Sequence, residues 1–294
     1  MDTNKSLLMR AMTKDGSFRI FAADTTDITQ IARDLHDLSP LVTIMISRMI
    51  SLTALMSAEL KSPGDEVTLR ILGNGDLQGG IVIADLSGNI KCYPYNPHVY
   101  YDIKEDNFNV GKHLGPGSLT VMRNMKGKSP YTGTIPLQTG EIGEDAVYYY
   151  HQSAQIPTAI NLGILIDSDA RIRSSAGIML QQLPQAYATT VSKVEQNLKQ
   201  TPNISDLMDM GLNMEDILNR FILKDIAWES TAFSSIRYHC SCSKSNFARG
   251  LMLLETDELK QMIDGISPVC HYCNKTYGFD ANDIREIIKI KETK

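Results

Sequence analysis

The stretch "EVTLRILGNGDLQGGIVIADLSG" at residues 66–88 places Gly73, Gly75 and Gly79 after an apolar run, the outline of a dinucleotide-binding loop. The residues after the glycines decide against that outline. "IVIADLSG" alternates as another strand, so no helix N-terminus is available for a pyrophosphate, and the glycines belong to a hairpin turn. The same pattern extends outward. "SFRIFAAD", "NIKCYP", "SLTVMRN", "GTIPL", "TAINLGILID" and "AGIMLQQL" are short β-like runs bounded by Gly, Asn, Asp and Pro. Most neighbours have no helix between them, so the strands pair antiparallel. Helices are expected in "DITQIARDLH" and "EIGEDAVYYYHQSA". A third comes after the cap and first-turn pair Ser39 and Pro40, where Leu41, Ile44, Met45, Met49, Leu52, Leu55 and Met56 recur at helical spacing. The fold class is therefore α+β, a mainly antiparallel core domain with helices over residues 1–180.

From 181 to 230 the character changes. Four basic residues (Lys193, Lys199, Arg220, Lys224) stand against seven acidic ones (Glu195, Asp206, Asp209, Glu215, Asp216, Asp225, Glu229), and only short amphipathic patterns recur. This segment reads as a helical linker of marginal intrinsic stability. Residues 231–294 hold four of the five cysteines and too little apolar material for an independent core. No internal repeat or low-complexity tract stands out.

Composition sets limits on function. With 294 residues, 43% hydrophobic and 21% charged, and a net charge of -5, the chain has no overall basic surface for phosphate backbones, so a general nucleic-acid binder is disfavoured. The N-terminus lacks the apolar run of a secretory signal, and "PLVTIMISRMISLTALM" is broken by Arg48 and shorter than a membrane span. A cytosolic protein is expected, and in that reducing compartment clustered cysteines serve as metal ligands or redox centres rather than static disulfides.

The cysteines come as Cys240 and Cys242, one residue apart, and Cys270 and Cys273, two apart, with 27 residues between the pairs. Two thiol pairs on tight turns can meet at one point, which is what a four-cysteine zinc site requires. Such a metal contributes roughly 10 to 16 kcal/mol to small domains, comparable to the stability of a whole ordinary domain. The first pair is closer than the two to four residues usual in zinc knuckles, and a disulfide across so small a ring would be hard to relax and easy to reduce. Thiolates held by zinc are also the form that peroxide attacks. Spacing alone leaves two readings open, a static zinc ribbon and a redox switch. "CHYC" as a thioredoxin-type site is excluded, because only 21 residues come after Cys273. A nucleic-acid ribbon has no electrostatic support, since residues 231–294 carry nine Lys and Arg against eight Asp and Glu.

"CSCS" and then "CHYCNKTYGFDANDI", together with "YTGTIPLQTGEIGEDAVYYYHQSAQIPTAINLGILID" and "GNGDLQGG", resemble the 33 kDa chaperonin family of redox-regulated bacterial heat-shock holdases, over essentially the whole chain. One departure is Ala154 in "SAQIP", where that family is expected to carry an acidic residue. The resemblance implies a non-enzymatic, ATP-independent chaperone, idle while Cys240, Cys242, Cys270 and Cys273 bind zinc. It further implies that oxidation forms disulfides Cys240 with Cys242 and Cys270 with Cys273, releases the zinc and unfolds the linker, which then binds unfolding client proteins. Activated members commonly form homodimers. In the linker, Met208, Met210 and Met214 with Leu207, Leu212, Ile217 and Phe221 supply adaptable apolar surface, although ordinary helix packing explains the same residues. The competing function, from a different class, is a structural zinc protein that binds a fixed macromolecular partner.

Three other features carry no function. His239 and His271, beside the thiols, are expected outside the ligand set or exposed. Cys92 reads as a small buried apolar residue. "YYYHQ" at residues 148–152 has a histidine but no nucleophile or acid partner, and reads as solvated helix surface.

Overall fold

The computed structural model describes residues 6–100 and 109–292, which divide between Tyr238 and His239 into two compact units. In the first unit, strands β1 (Leu7–Thr13) and β2 (Phe18–Asp24) form a hairpin and lead into helix α1 (Thr26–His36). Strand β2 is the first that the sequence pattern predicts, and β1 escapes it. β1 places Leu8 in one core cluster and Met9 and Ala11 in another, and its register shifts between Arg10 and Ala11, so it lacks the clean two-residue period by which strands are recognised.

Helix α2 (Pro40–Ser57) begins where Ser39 and Pro40 predict, with every residue except Pro40 and Arg48 buried. By length and composition it could cross a membrane, but it is the core helix, enclosed by packing. A six-stranded sheet lies against it. Five of its strands are β3 (Glu66–Gly73), β4 (Gly79–Asp85), β5 (Asn89–Pro94), then β6 (Gly117–Asn124) and β7 (Tyr131–Pro136), with the short helix α3 (Val110–Leu114) before β6. β3 and β4 are the antiparallel hairpin expected from "GNGDLQGG". The glycines there have a packing cause. A Cβ on Gly73 would stand 2.2 Å from the Leu114 carbonyl oxygen, and one on Gly75 2.3 Å from that of His113.

Helix α4 (Ile142–Tyr149) runs into a π-helical turn, Tyr150–Ala154, before β8 (Thr158–Ile166) and β9 (Ile172–Gln182). Here one expectation fails. Tyr149 and Tyr150 are fully buried rather than solvated, and only His151 and Gln152 of "YYYHQ" are exposed. The Tyr150 hydroxyl donates to Glu59, whose carboxylate also accepts from Arg19, Arg123 and Gln181 and so ties the end of α2 to β2, β6 and β9. Burying that carboxylate is tolerable because its acceptor sites are filled.

The segment from 183 to 227 folds into α5 (Ala188–Gln200), α6 (Ile204–Asp209) and α7 (Met214–Ile217), the last continued by a π-helical turn, Leu218–Ile222. Val194, Ile204, Leu207, Ile217, Leu218 and Ile222 are buried against Phe18, Ile20, Ala22, Ala176, Ile178 and Leu180 of β2 and β9. Met208, Leu212, Met214 and Phe221 are half-buried in the same cluster, while Met210 is 75% exposed. In this state most of the linker's apolar residues are therefore helix packing. Strands β10 (Trp228–Ser235) and β11 (Arg237–Tyr238) complete the unit. The five-stranded sheet runs β10-β1-β2-β9-β8 and the six-stranded sheet β11-β5-β4-β3-β6-β7, antiparallel except for β11 on β5. Residues 231–238, assigned from sequence to the cysteine-bearing segment, thus form strands on the first unit, where β10 pairs with β1. Glu229, Ser230 and Thr231 are exposed in a row and Phe233 is exposed too, so β10 lacks the alternation that marks a half-buried strand.

The second unit contains α8 (Lys244–Leu251), α9 (Thr256–Gln261) and α10 (Ala281–Glu292) around one small cluster of Leu259, Cys270, Tyr277, Phe279, Ile284 and Ile287.

Candidate metal centre

The second thiol pair sits at the tip of a short hairpin. Ile266 bridges Phe279 and Val269 bridges Thr276, and at the tip Cys270 N–H donates to the Lys275 carbonyl and Asn274 N–H to the Cys270 carbonyl. The turn closes through Asn274 in the left-handed region, φ 54°, a conformation that asparagine tolerates well. Cys270 and Cys273 are thereby presented from one tight loop. The first pair precedes α8, whose N-cap Ser243 accepts from the Asn246 N–H, and the Asn246 amide reaches back to the Ser241 carbonyl. Helix start and pair are one local structure, which is how a single intervening residue suffices.

The four sulfurs lie within 4.8 Å of one another. Cys240 Sγ is 3.7 Å from Cys270 Sγ, and Cys242 Sγ 3.3 Å from Cys273 Sγ. Four sulfurs about 2.3 Å from a common centre would be separated by roughly 3.8 Å, so the cluster fits a tetrahedral ion with little adjustment. All five cysteines of the chain are free thiols. The donor set could hold a metal ion, and its chemistry is soft.

Electrostatics separate the thiols. Burial pushes Cys240 up to about 12 and also raises Cys273. Burial acts the same way on Cys242, but the Tyr277 hydroxyl and the neighbouring thiols outweigh it and bring this thiol down to about 7. Tyr277 Oη stands 3.1 Å from Cys242 Sγ and 2.9 Å from the Cys242 carbonyl oxygen, and its ring packs on Phe247 with centroids 5.0 Å apart. Sequence reasoning names the four thiols but not Tyr277. Thiol spacing carries no information about a side chain 35 residues from its partner. His239 and His271 are exposed and stand outside the cluster, as expected, and Cys92 is fully buried, with burial pushing its thiol up to about 12.

These features define an α+β protein whose small terminal unit gathers four thiols into a metal-type site. Residues 6–280 match the Hsp33 protein family. A 33 kDa chaperonin of Acetivibrio thermocellus is 36% identical over 290 residues, covering 97% of this chain and 98% of that one. A 33 kDa chaperonin of Agathobacter rectalis is 35% identical over 284 residues, covering 95% and 98%. The crystal structure of the 33 kDa chaperonin (heat shock protein 33 homologue) of Thermotoga maritima superposes with a TM-score of 0.90 at 28% identity, covering 99% of this chain and all of that one. The chain belongs to the Hsp33 family of chaperones, a non-enzymatic class.

Proposed function

We propose that this protein is a redox-regulated, ATP-independent holdase whose switch is the cluster of Cys240, Cys242, Cys270 and Cys273. The observation that carries this function is the convergence of four thiols within 4.8 Å in a unit with one small core cluster. Bound there, zinc supplies the charge that keeps all four sulfurs as thiolates and links the two loops. The chain's own contribution is to hold the pairs facing each other, with Tyr277 poised over Cys242.

Oxidation by peroxide joins Cys240 to Cys242 and Cys270 to Cys273. Each pair of thiolates gives two electrons to one peroxide, which takes up two protons from solvent and leaves as two waters. With all four sulfurs in disulfides, no ligand set would be left to hold an ion. The second unit loses its staple, and the linker, here residues 181–230, loosens and binds unfolding clients through Met208, Met214, Leu212, Phe221 and the residues they cover. Activity in the cytosol, dimerisation on activation, and independence from nucleic acid and membranes complete the proposal.

The test is light scattering from a heat-unfolded client protein, with this protein added either reduced and zinc-loaded or after peroxide treatment at raised temperature. Suppression of scattering by the oxidised form alone is the expected result. Equal behaviour of both forms would sink the switch and leave a structural ribbon with a fixed partner.

A further inference from the structure

Between the linker helices and the second unit the chain passes through residues 228–238, and these hold both sheets. β10 closes the edge of the five-stranded sheet on β1, and immediately beyond Ile236 β11 lies on β5 at the edge of the six-stranded sheet. The crossing is tightly made. Ile236 is 2% exposed and its N–H donates to the Ser6 carbonyl, while Arg237 N–H donates to the Gly88 carbonyl and its guanidinium to the Asn89 side chain. Gly88 has φ 80°, and a Cβ there would stand 2.3 Å from the Ser235 carbonyl oxygen, so the chain can pass only over a glycine.

Tyr238 ends this segment, two residues before Cys240. Its hydroxyl lies 3.2 Å from His36 Nε2, 3.4 Å from the Cys92 carbonyl oxygen and 3.8 Å from Cys92 Sγ, and the ring packs on the main core cluster. At the other end of the segment, Trp228 packs in the cluster that seats the linker helices. Unfolding that begins in the second unit therefore reaches those helices along the chain by freeing Tyr238 and then peeling the edge strand β10 from β1. Edge strands open before central ones.

We propose that Tyr238 is a positioning residue that gates activation: docked on His36 and Cys92, it halts unfolding at the unit boundary, and its release lets β10 and the linker helices go. The gate rests on the proposed unfolding of the second unit when its ligands are lost. Cys92 reports on the gate. Fully buried beneath the phenol, that thiol is inert in the docked state and becomes reachable when Tyr238 leaves.

The experiment measures alkylation of Cys92 by peptide mass spectrometry in full-length protein, wild type and Tyr238→Phe. Each is tested zinc-loaded and after zinc is removed by a chelator under reducing conditions. Both loaded proteins should protect Cys92 equally. After zinc removal the variant should be labelled about fivefold faster, the worth of one net hydrogen bond. His36→Leu should act as Tyr238→Phe does, and His36→Gln, whose amide can still reach the phenol, should stay near wild type. Equal rates after zinc removal, or acceleration already in the loaded variant, would overturn the gate. A peroxide arm scored by client scattering separates the two proposals. If neither protein gains chaperone activity while the chelated arms still differ, the redox switch fails while Tyr238 still gates unfolding that begins in the second unit.

Discussion

At the scale of residues, the chemistry of the cluster is set by unequal neighbours. A set of four thiols in one small volume cannot ionise together without a cation, and burial raises Cys240 and Cys273 accordingly. Cys242 moves the other way, and Tyr277 is the first of the groups that lower it. Replacing Tyr277 by Phe keeps the ring on Phe247 and deletes only the hydroxyl, so Cys242 should move back up and metal affinity should fall about tenfold, as for loss of a group that orients a ligand. Competition with a chromophoric chelator at fixed pH measures this. Unchanged affinity would mean that the hydroxyl serves only the Cys242 carbonyl. The four thiols were legible in the sequence because a turn-borne pair declares itself by local spacing. Tyr277, Tyr238 and His36 were not, because their partners are brought to them only by the tertiary fold.

At the scale of elements, α6 and α7 are too short to persist alone, so the face of β2, β8 and β9 that they cover determines whether the linker is folded. One contact isolates this docking. Gly163 of β8 lies under α6, and a Cβ there would stand 2.8 Å from Ile204 Cγ1 and 2.8 Å from the Ser205 backbone nitrogen. Gly163→Ala should leave the β8–β9 pairing intact but push α6 away at a cost of about 1 to 3 kcal/mol. Amides of residues 188–222 should then exchange faster than those of the strands, and the reduced protein should bind clients without oxidation. Gly143→Ala is the control. Its Cβ would meet only Leu162 at 3.7 Å, so it should change neither exchange nor client binding. The helical character of this segment was readable from its short amphipathic patterns, and α2 from its cap and period. Where β1, β10 and β11 go was not readable, because a bulge, a run of exposed polar residues and a two-residue length each remove the periodic signal on which a strand assignment depends.

At the scale of the molecule, the two units differ in what holds them. The first has two extensive core clusters, one on each face of the five-stranded sheet, and needs no ligand to account for its burial. Among the described residues the second has a single cluster of six buried ones, of which Cys270 is itself a candidate ligand, so much of its stability must come from whatever joins its thiols. A structural zinc contributes about 10 to 16 kcal/mol in such units, more than a core of this size can replace. Removing the ion with a chelator under reducing conditions should therefore strip hydrogen-exchange protection from Phe279, Ile284 and Ile287 while Ile20, Leu69, Val82 and Ile178 keep theirs. The linker helices should lose protection to an intermediate degree, and added zinc should restore the second unit. Simultaneous loss in both units would mean that they form one cooperative body. Retained protection in the second unit would mean that its small core suffices, and neither the staple nor a switch built on it would then hold.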